Sequence, residues 1–485
     1  MSVLNGMQPE RVWHYFSEIC KIPHGSGNVK GISDYLVNFA KEHGLSYKQD
    51  EMLNVIIKKD ATPGYEKEAP IILQGHMDMV AVKTPESSID LKKDGLNLCV
   101  DGDNLYAKDT SLGGDDGIAV AYALAILESG DIVHPALEVI VTVDEEVGMD
   151  GARAIDLTGL QGKRMLNIDS EEEGIFLTSC AGGGCIRTYL PVDVKKTEGI
   201  ACRISVEGLL GGHSGEMIDK ERGNSNCLMG RLLYRLTEQM PVYLKELEGG
   251  LADNAIPRRT IAQVLIDEDK EELFKDIVQK VETEIQTELA TKDPDFEITV
   301  VILGEDKAVC TEEESTANLA SYLMALPNGV QAMSADVEGL VETSLNLGIL
   351  KYDAEEQEIT CAISVRSCIE SAKKALLDKV SAVTELAGGH YAVSGEYPGW
   401  AYRVESPFRD LCVSVYEEMY GRKPVLRAIH AGLECGIIAS KIEDLDCISI
   451  GPDMEDIHTT EEKLSISSTA RVWDFIIKVL SKKDN

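Results

Sequence analysis

PIILQGHMDM, residues 70–79, sets an unbroken apolar run against a histidine and an aspartate two residues apart. A short apolar run closed by glycine reads as a buried strand, so His76 and Asp78 stand where a strand ends. The same figure recurs along the chain. ALEVIVTV (136–143) runs into Asp144, Glu145 and Glu146, RMLNI (164–168) runs into Asp169, and DCISI (446–450) is followed by Asp456 and His458. GIAVAYALAILES (117–129) has a helical pattern and is preceded by Gly113, Gly114, Asp115 and Asp116. Strands alternating with helices predict an α/β domain on a mixed or parallel sheet. In open sheets of this kind, ligands bind beyond the carboxyl ends of the strands. Carboxylates gathered there repel one another unless a cation holds them.

Two histidines among several carboxylates suit zinc, with manganese or cobalt as substitutes. Two ions need a shared ligand. A single Asp at the helix start, behind glycines that let the backbone come close, suits that part.

From about residue 187 the texture changes. Strands are expected at 201–206, 255–266, 297–303, 341–349 and 358–365, and helices at 224–237, 270–291, 315–325 and 370–386. The element order repeats, so one inserted α+β domain with two similar halves is expected over 187–395. The Gly-rich stretch 388–400 then returns the chain to the first domain, made of 1–186 and 396–485. Helices at 8–20, 28–43, 405–420 and 468–481 complete it.

The 485 residues are enough for two or three domains. Lys plus Arg is 47 and Asp plus Glu is 83, a net charge of −36. That surface repels nucleic acid and anionic membranes. The first residues lack the basic and apolar regions of a secretion signal, and no run is long enough for a membrane span. The 12 cysteines form no CxxC, the nearest pair being Cys180 and Cys185, so reduced thiols in the cytoplasm are expected.

HMDM, GGDDG, DEEVG, LNIDSEE, GGHSG (211–215), DNAIPR (253–258) and DIHTTEE (456–462) together resemble the successive motifs of the di-zinc dipeptidase and aminoacylase clan. HAGLECG (430–436) and YPGW (397–400) are similar to its aminoacyl-histidine dipeptidase branch. The resemblance runs from residue 76 to residue 462. It implies a di-zinc peptidase catalytic domain with the inserted domain as a lid that closes over two divalent ions. It implies that Asp115 bridges them, that His76 and Asp169 complete one ion, and that Glu146 and His458 complete the other. Glu145 is implied as general base, Asp78 as the residue orienting His76, and the Asp115–Asp116 bond as cis. His213 resembles the clan's donor to the oxyanion. Asn254 and Arg366 look like the pair that holds the terminal carboxylate, and His430 and Glu434 like further residues near the substrate. Glu434 either meets the free amino group or holds a neighbouring loop. In smaller-lid relatives the oxyanion histidine comes from a partner subunit. A doubled lid can supply it in cis, so a homodimer is compatible with this reading but not required for catalysis.

The activity so implied is hydrolysis of dipeptides with free ends, Xaa-His such as β-alanyl-histidine among them. A tripeptide aminopeptidase or an N-acyl amino acid deacylase is the alternative within the clan. Asp at position 169 goes with dipeptidase or aminopeptidase action there. An inactive metal- or peptide-binding protein and an acidic metal-storage protein are the readings of other classes. The first would have lost Glu145 or a ligand, and the second would carry its acids in runs. His14, His24, His43, His134 and His390 have no partner motif and read as structural or exposed.

Overall fold

The computed structural model describes residues 3–483. The chain divides into two compact units. The first comprises 1–179, 402–428 and 433–485, and the second 180–401 together with 429–432. The expected boundaries at 187 and 395 therefore shift. The strand Gly182–Pro191 pairs along its whole length with Glu358–Ser367 of the second unit, and it takes the boundary back to Cys180.

The first unit carries an eight-stranded sheet. Its centre is parallel: Leu137–Thr142, Ile71–His76, Arg164–Asn167 and Asp446–Ser449 lie side by side in that order. Antiparallel neighbours flank them, with Val55–Lys59 on one side and Ile175–Cys180 on the other, so the sheet is mixed. The central strands bury both faces, which is why they read as continuous apolar runs. The helices Glu10–Ile19, Lys30–Glu42, Gly114–Glu128, Pro407–Tyr420 and Ile466–Leu480 share one apolar core with this sheet. A smaller antiparallel sheet orders Met454–Glu455, Lys463–Ser465, Asn104–Ala107 and Leu98–Asp101.

The second unit is built on a nine-stranded antiparallel sheet. Its first half runs Val194–Glu207, helix Ser225–Thr237, Tyr243–Gly249, Thr260–Ile266, helix Glu271–Leu289 and Glu297–Thr311. In space these strands lie fourth, first, third, second. Gly182–Pro191, helix Glu313–Ala325, Val341–Asp353, Glu358–Ser367, helix Glu370–Leu386 and His390–Tyr397 repeat that order from the opposite edge. The two halves meet at Tyr243–Gly249 and Val341–Asp353, through two paired positions. Each half is a β-α-β-β-α-β arrangement, in which both helices cover one face of the strands.

One expected strand is two. Residues 255–256 pair with Gly212 and His213, whereas Thr260–Ile266 pairs with Val194–Glu207. Pro257 has no N–H to give to a ladder, so the run breaks there. Residues 390–397, read as a connection, form an edge strand that is exposed over most of its length.

Candidate active site

Three adjacent parallel strands deliver the first group of side chains. His76 is the last residue of its strand, Asp169 follows the next, and Glu145 and Glu146 lie in the turn after the third. That turn is set by Asp144, whose φ of 54° reverses the chain and whose carboxylate accepts from Gly27 N–H at 2.7 Å. Asp115 sits in the non-helical start of Gly114–Glu128, and the Asp115–Asp116 bond is cis. His458 lies between the two short strands of the smaller sheet, at φ 61°.

The two carboxylate oxygens of Asp115 face different histidines. Oδ1 is 3.1 Å from His76 Nε2, and Oδ2 is 3.0 Å from His458 Nε2. His76 Nε2 also lies 3.4 Å from Asp169 Oδ1, and His458 Nε2 lies 2.9 Å from Glu146 Oε1. Glu146 Oε1 is buried yet accepts no hydrogen bond of acceptable direction. A nitrogen and an oxygen that come close without aligning are what two ligands aimed at a common point look like. Asp115, Glu146 and His458 can each place one ligand atom within 4.8 Å of the others, and so can His76, Glu145 and Glu146. The donor set of imidazoles and carboxylates fits a pair of divalent cations.

Electrostatics point the same way. Asp115 is held below the usual carboxylate range: burial opposes its ionisation, and hydrogen bonds from His458 and His76 outweigh that. The carboxylates of Asp115 and Glu146 beside its Nε2 raise His458 to about 10. The cluster attracts positive charge. Burial raises Glu145 well above its ordinary value, and the charges of Asp169, Glu434 and Glu146 add to the shift. A carboxyl group so raised holds a proton more readily than an ordinary carboxylate.

Asp78 holds two of these residues at once. Its main-chain carbonyl is 2.9 Å from His76 Nδ1, while its carboxylate stands 3.6 Å away. The carboxylate instead accepts Glu145 N–H at 3.1 Å and Ser26 Oγ–H at 2.8 Å. The expected orienting of His76 thus runs mainly through the backbone, and the side chain holds the backbone of Glu145.

Three further acids support the cluster: Asp116 and Glu462, which the sequence reading does not name as site residues, and Glu434, which it does. Asp116 is fully buried beneath His76 and accepts its N–H at 3.2 Å. It also falls within ligand distance of His76 and Asp169. Asp116 Oδ1 is buried without a partner, but Asp115 is the better shared ligand because its two oxygens face the two different histidines. Glu462, in the motif after His458, accepts the N–H groups of Leu112, Gly113 and Gly114 at 2.8, 3.2 and 2.8 Å. It thereby clamps the turn that presents Asp115. Glu434 is fully buried at the start of helix Glu434–Lys441. Its Oε2 accepts from Gln74 Nε2 and Thr142 Oγ1, both at 2.6 Å, and Gln74 Oε1 accepts from Asn167 at 2.5 Å. Gln74, Thr142 and Asn167 belong to the strands that deliver His76, Glu145 and Asp169. Glu434 Oε2 is thus tied to side chains of two of these strands, while its Oε1 is buried without a partner.

The remaining expected residues belong to the second unit. His213 pairs with Ala255 in the short ladder, and Ser214 N–H donates to Asn254 O at 2.9 Å, so His213 and Asn254 are neighbours. His213 Nδ1 accepts Glu216 N–H at 3.3 Å. A neutral imidazole accepting at Nδ1 carries its proton on Nε2. Burial, and then the charge of Arg366, lower the His213 pKa and keep the ring neutral. Asn346 Nδ2 donates to the carbonyls on either side of Asn254, at 3.1 and 2.8 Å. His430 Nε2 lies 2.7 Å from Ser344 Oγ, and Ser344 is the cross-strand partner of Arg366. His430 and Glu434, expected together, fall in different units.

Residues 72–482 match the pattern of peptidase family M20/M25/M40. The chain belongs to that family. Its members are hydrolases of peptide bonds, and this M20 chain keeps a complete candidate ligand set. It is 35% identical over 484 residues to the cytosol non-specific dipeptidase of Escherichia coli, covering 99% of both chains. It superposes on the crystal structure of aminoacylhistidine dipeptidase from Vibrio alginolyticus with a TM-score of 0.93 at 34% identity, covering 100% of this chain and 99% of that one. Aminopeptidase PepT from Bacillus cereus shares the fold at 16% identity, with a TM-score of 0.58 and 98% of each chain covered. Among the described residues of this M20 chain no helix is long and apolar enough to cross a membrane, and no cysteine is in a disulfide.

Proposed function

We propose that this M20 enzyme is a cytoplasmic dipeptidase with two divalent cations, zinc first and manganese or cobalt in its place. Its substrates are dipeptides with free termini, Xaa-His such as β-alanyl-histidine among them. The observation that carries the reading is Asp115, whose two oxygens each face one histidine-carboxylate pair. The full-length likeness to two dipeptidases supports the substrate class.

His76, Asp115 and Asp169 would hold one cation, and Asp115, Glu146 and His458 the other. The bound pair would supply Lewis acidity and acidify a water. Glu145 takes the proton of the attacking water and returns it to the leaving amine. Asp78 fixes Glu145 through its backbone N–H. The Nε2–H of His213 suits an oxyanion donor, because its other nitrogen is occupied and the ring is neutral. Arg366 and Asn254 bind the substrate's terminal carboxylate, for which the planar guanidinium is suited.

The test is a comparison of rates on Ala-His, β-Ala-His, Ala-Ala-Ala and acetyl-His by metal-loaded protein. The two dipeptides should exceed the other two by at least about tenfold in kcat/KM, the scale of one lost polar contact. A larger kcat/KM on Ala-Ala-Ala would make it a tripeptide aminopeptidase, and on acetyl-His a deacylase.

A further inference from the structure

Arg366 is nine-tenths buried in the second unit, and among the described residues its guanidinium forms no ion pair. A buried charge with no counter-ion costs several kcal/mol in an apolar surrounding, so such groups are normally paired. Here the partner is a phenol. Arg366 Nη1 donates to Tyr397 Oη at 3.1 Å, and Arg366 Nε has no partner. The charge is felt nearby: after burial, it is the next cause lowering both His213 and His430, the latter to about 4.

The contact depends on a row across three strands. Arg366 is in register with Gly183, and Gly183 with Tyr397. A Cβ on Gly183 would lie 2.5 Å from Tyr397 Oη and 2.6 Å from Cζ. The missing side chain leaves the lane in which the tyrosine ring lies, and this accounts for a glycine inside a strand. Tyr397 is itself held from behind, its carbonyl accepting from the buried Lys373 Nζ at 2.8 Å.

We infer that Tyr397 is a positioning residue for Arg366: its hydroxyl, lying over the bare Gly183, fixes the guanidinium while leaving its charge for an anionic group of the substrate. A carboxylate in place of the phenol would hold the arginine equally well and cancel that charge. The inference rests on the reading that Arg366 takes the substrate's carboxylate, and it adds how the fold keeps that arginine both ordered and unneutralised.

The experiment measures kcat and KM of the metal-loaded enzyme on Ala-His and on its C-terminal amide. Tyr397→Phe keeps the ring and removes one hydrogen bond to a charged donor. It should raise KM for Ala-His about tenfold, with kcat within about twofold and the amide's KM unchanged. Gly183→Ala, whose Cβ would meet the tyrosine ring first, should do the same. Added to Arg366→Ala, Tyr397→Phe should have no further effect on KM. Equal KM increases for acid and amide in Tyr397→Phe, or no increase for the acid, would overturn the inference. If Arg366→Ala abolishes the preference for the acid while Tyr397→Phe spares it, only the role of Tyr397 fails. If Arg366→Ala leaves the preference intact, the reading of Arg366 fails as well.

Discussion

Glu145→Gln is expected to bind two cations as the parent does and to hydrolyse Ala-His about a thousand-fold more slowly. General acid–base groups contribute about 10²–10⁴ in rate, and Glu145 serves both proton transfers of the proposed reaction. The glutamine fills the same space and accepts at the same oxygen, but it cannot carry the proton. The position of residue 145 is independent of its side-chain charge, since the backbone N–H bonds to Asp78 and the turn is set at Asp144. The loss should therefore fall on kcat, with KM little changed. Calorimetric titration with zinc alongside steady-state kinetics separates the effects. A variant that lost its cations would show that residue 145 is a ligand instead.

Asp115→Asn is expected to bind at most one cation at micromolar concentration. The wild-type carboxylate offers one oxygen to each side, at 3.1 and 3.0 Å from the two histidine nitrogens. An asparagine keeps the size but has two different ends. One end must present an NH₂ group, which has no lone pair for a metal. Loss of partners outside the direct ligands already costs about 10–100-fold in metal affinity, so loss of the shared ligand should exceed ~100-fold at one site. Metal content after gel filtration, by elemental analysis, would read this as a fall from two equivalents to one or none. Two equivalents retained would make Asp115 a bystander and Asp116 the better candidate.

The candidate clusters are legible because buried parallel strands announce themselves as apolar runs, and in an α/β sheet the residues just past the end of such a run lie where ligands bind. His76, Glu145, Glu146 and Asp169 were found this way. Glu462 was not, and Glu434 was expected near the substrate without its contacts: they act on residues 348 and 360 positions away, and sequence spacing carries no trace of such pairings. Asp116 is one residue from Asp115, and only the cis bond and the kinked helix start separate their roles. In the fold, the buried strands Val55–Lys59 and Ile175–Cys180 were not expected, and other misses were polar or exposed segments. The strand Ser46–Gln49 is mostly exposed, and His390–Tyr397 reads as a Gly-rich loop because it forms a sheet edge with little to bury. The boundary at Cys180 was hidden for a related reason. The glycines at 182–184 carry no apolar pattern, yet they are strand residues whose side-chain space is taken by Tyr397, Glu396 and the chain at Pro398–Gly399.

The most direct test of the two-cation dipeptidase is to strip the protein of metal, titrate zinc back, and follow Ala-His hydrolysis against equivalents bound. Activity should be negligible without metal and reach its plateau at two equivalents per chain. A plateau at one equivalent, or hydrolysis by the stripped protein, would contradict the shared site at Asp115.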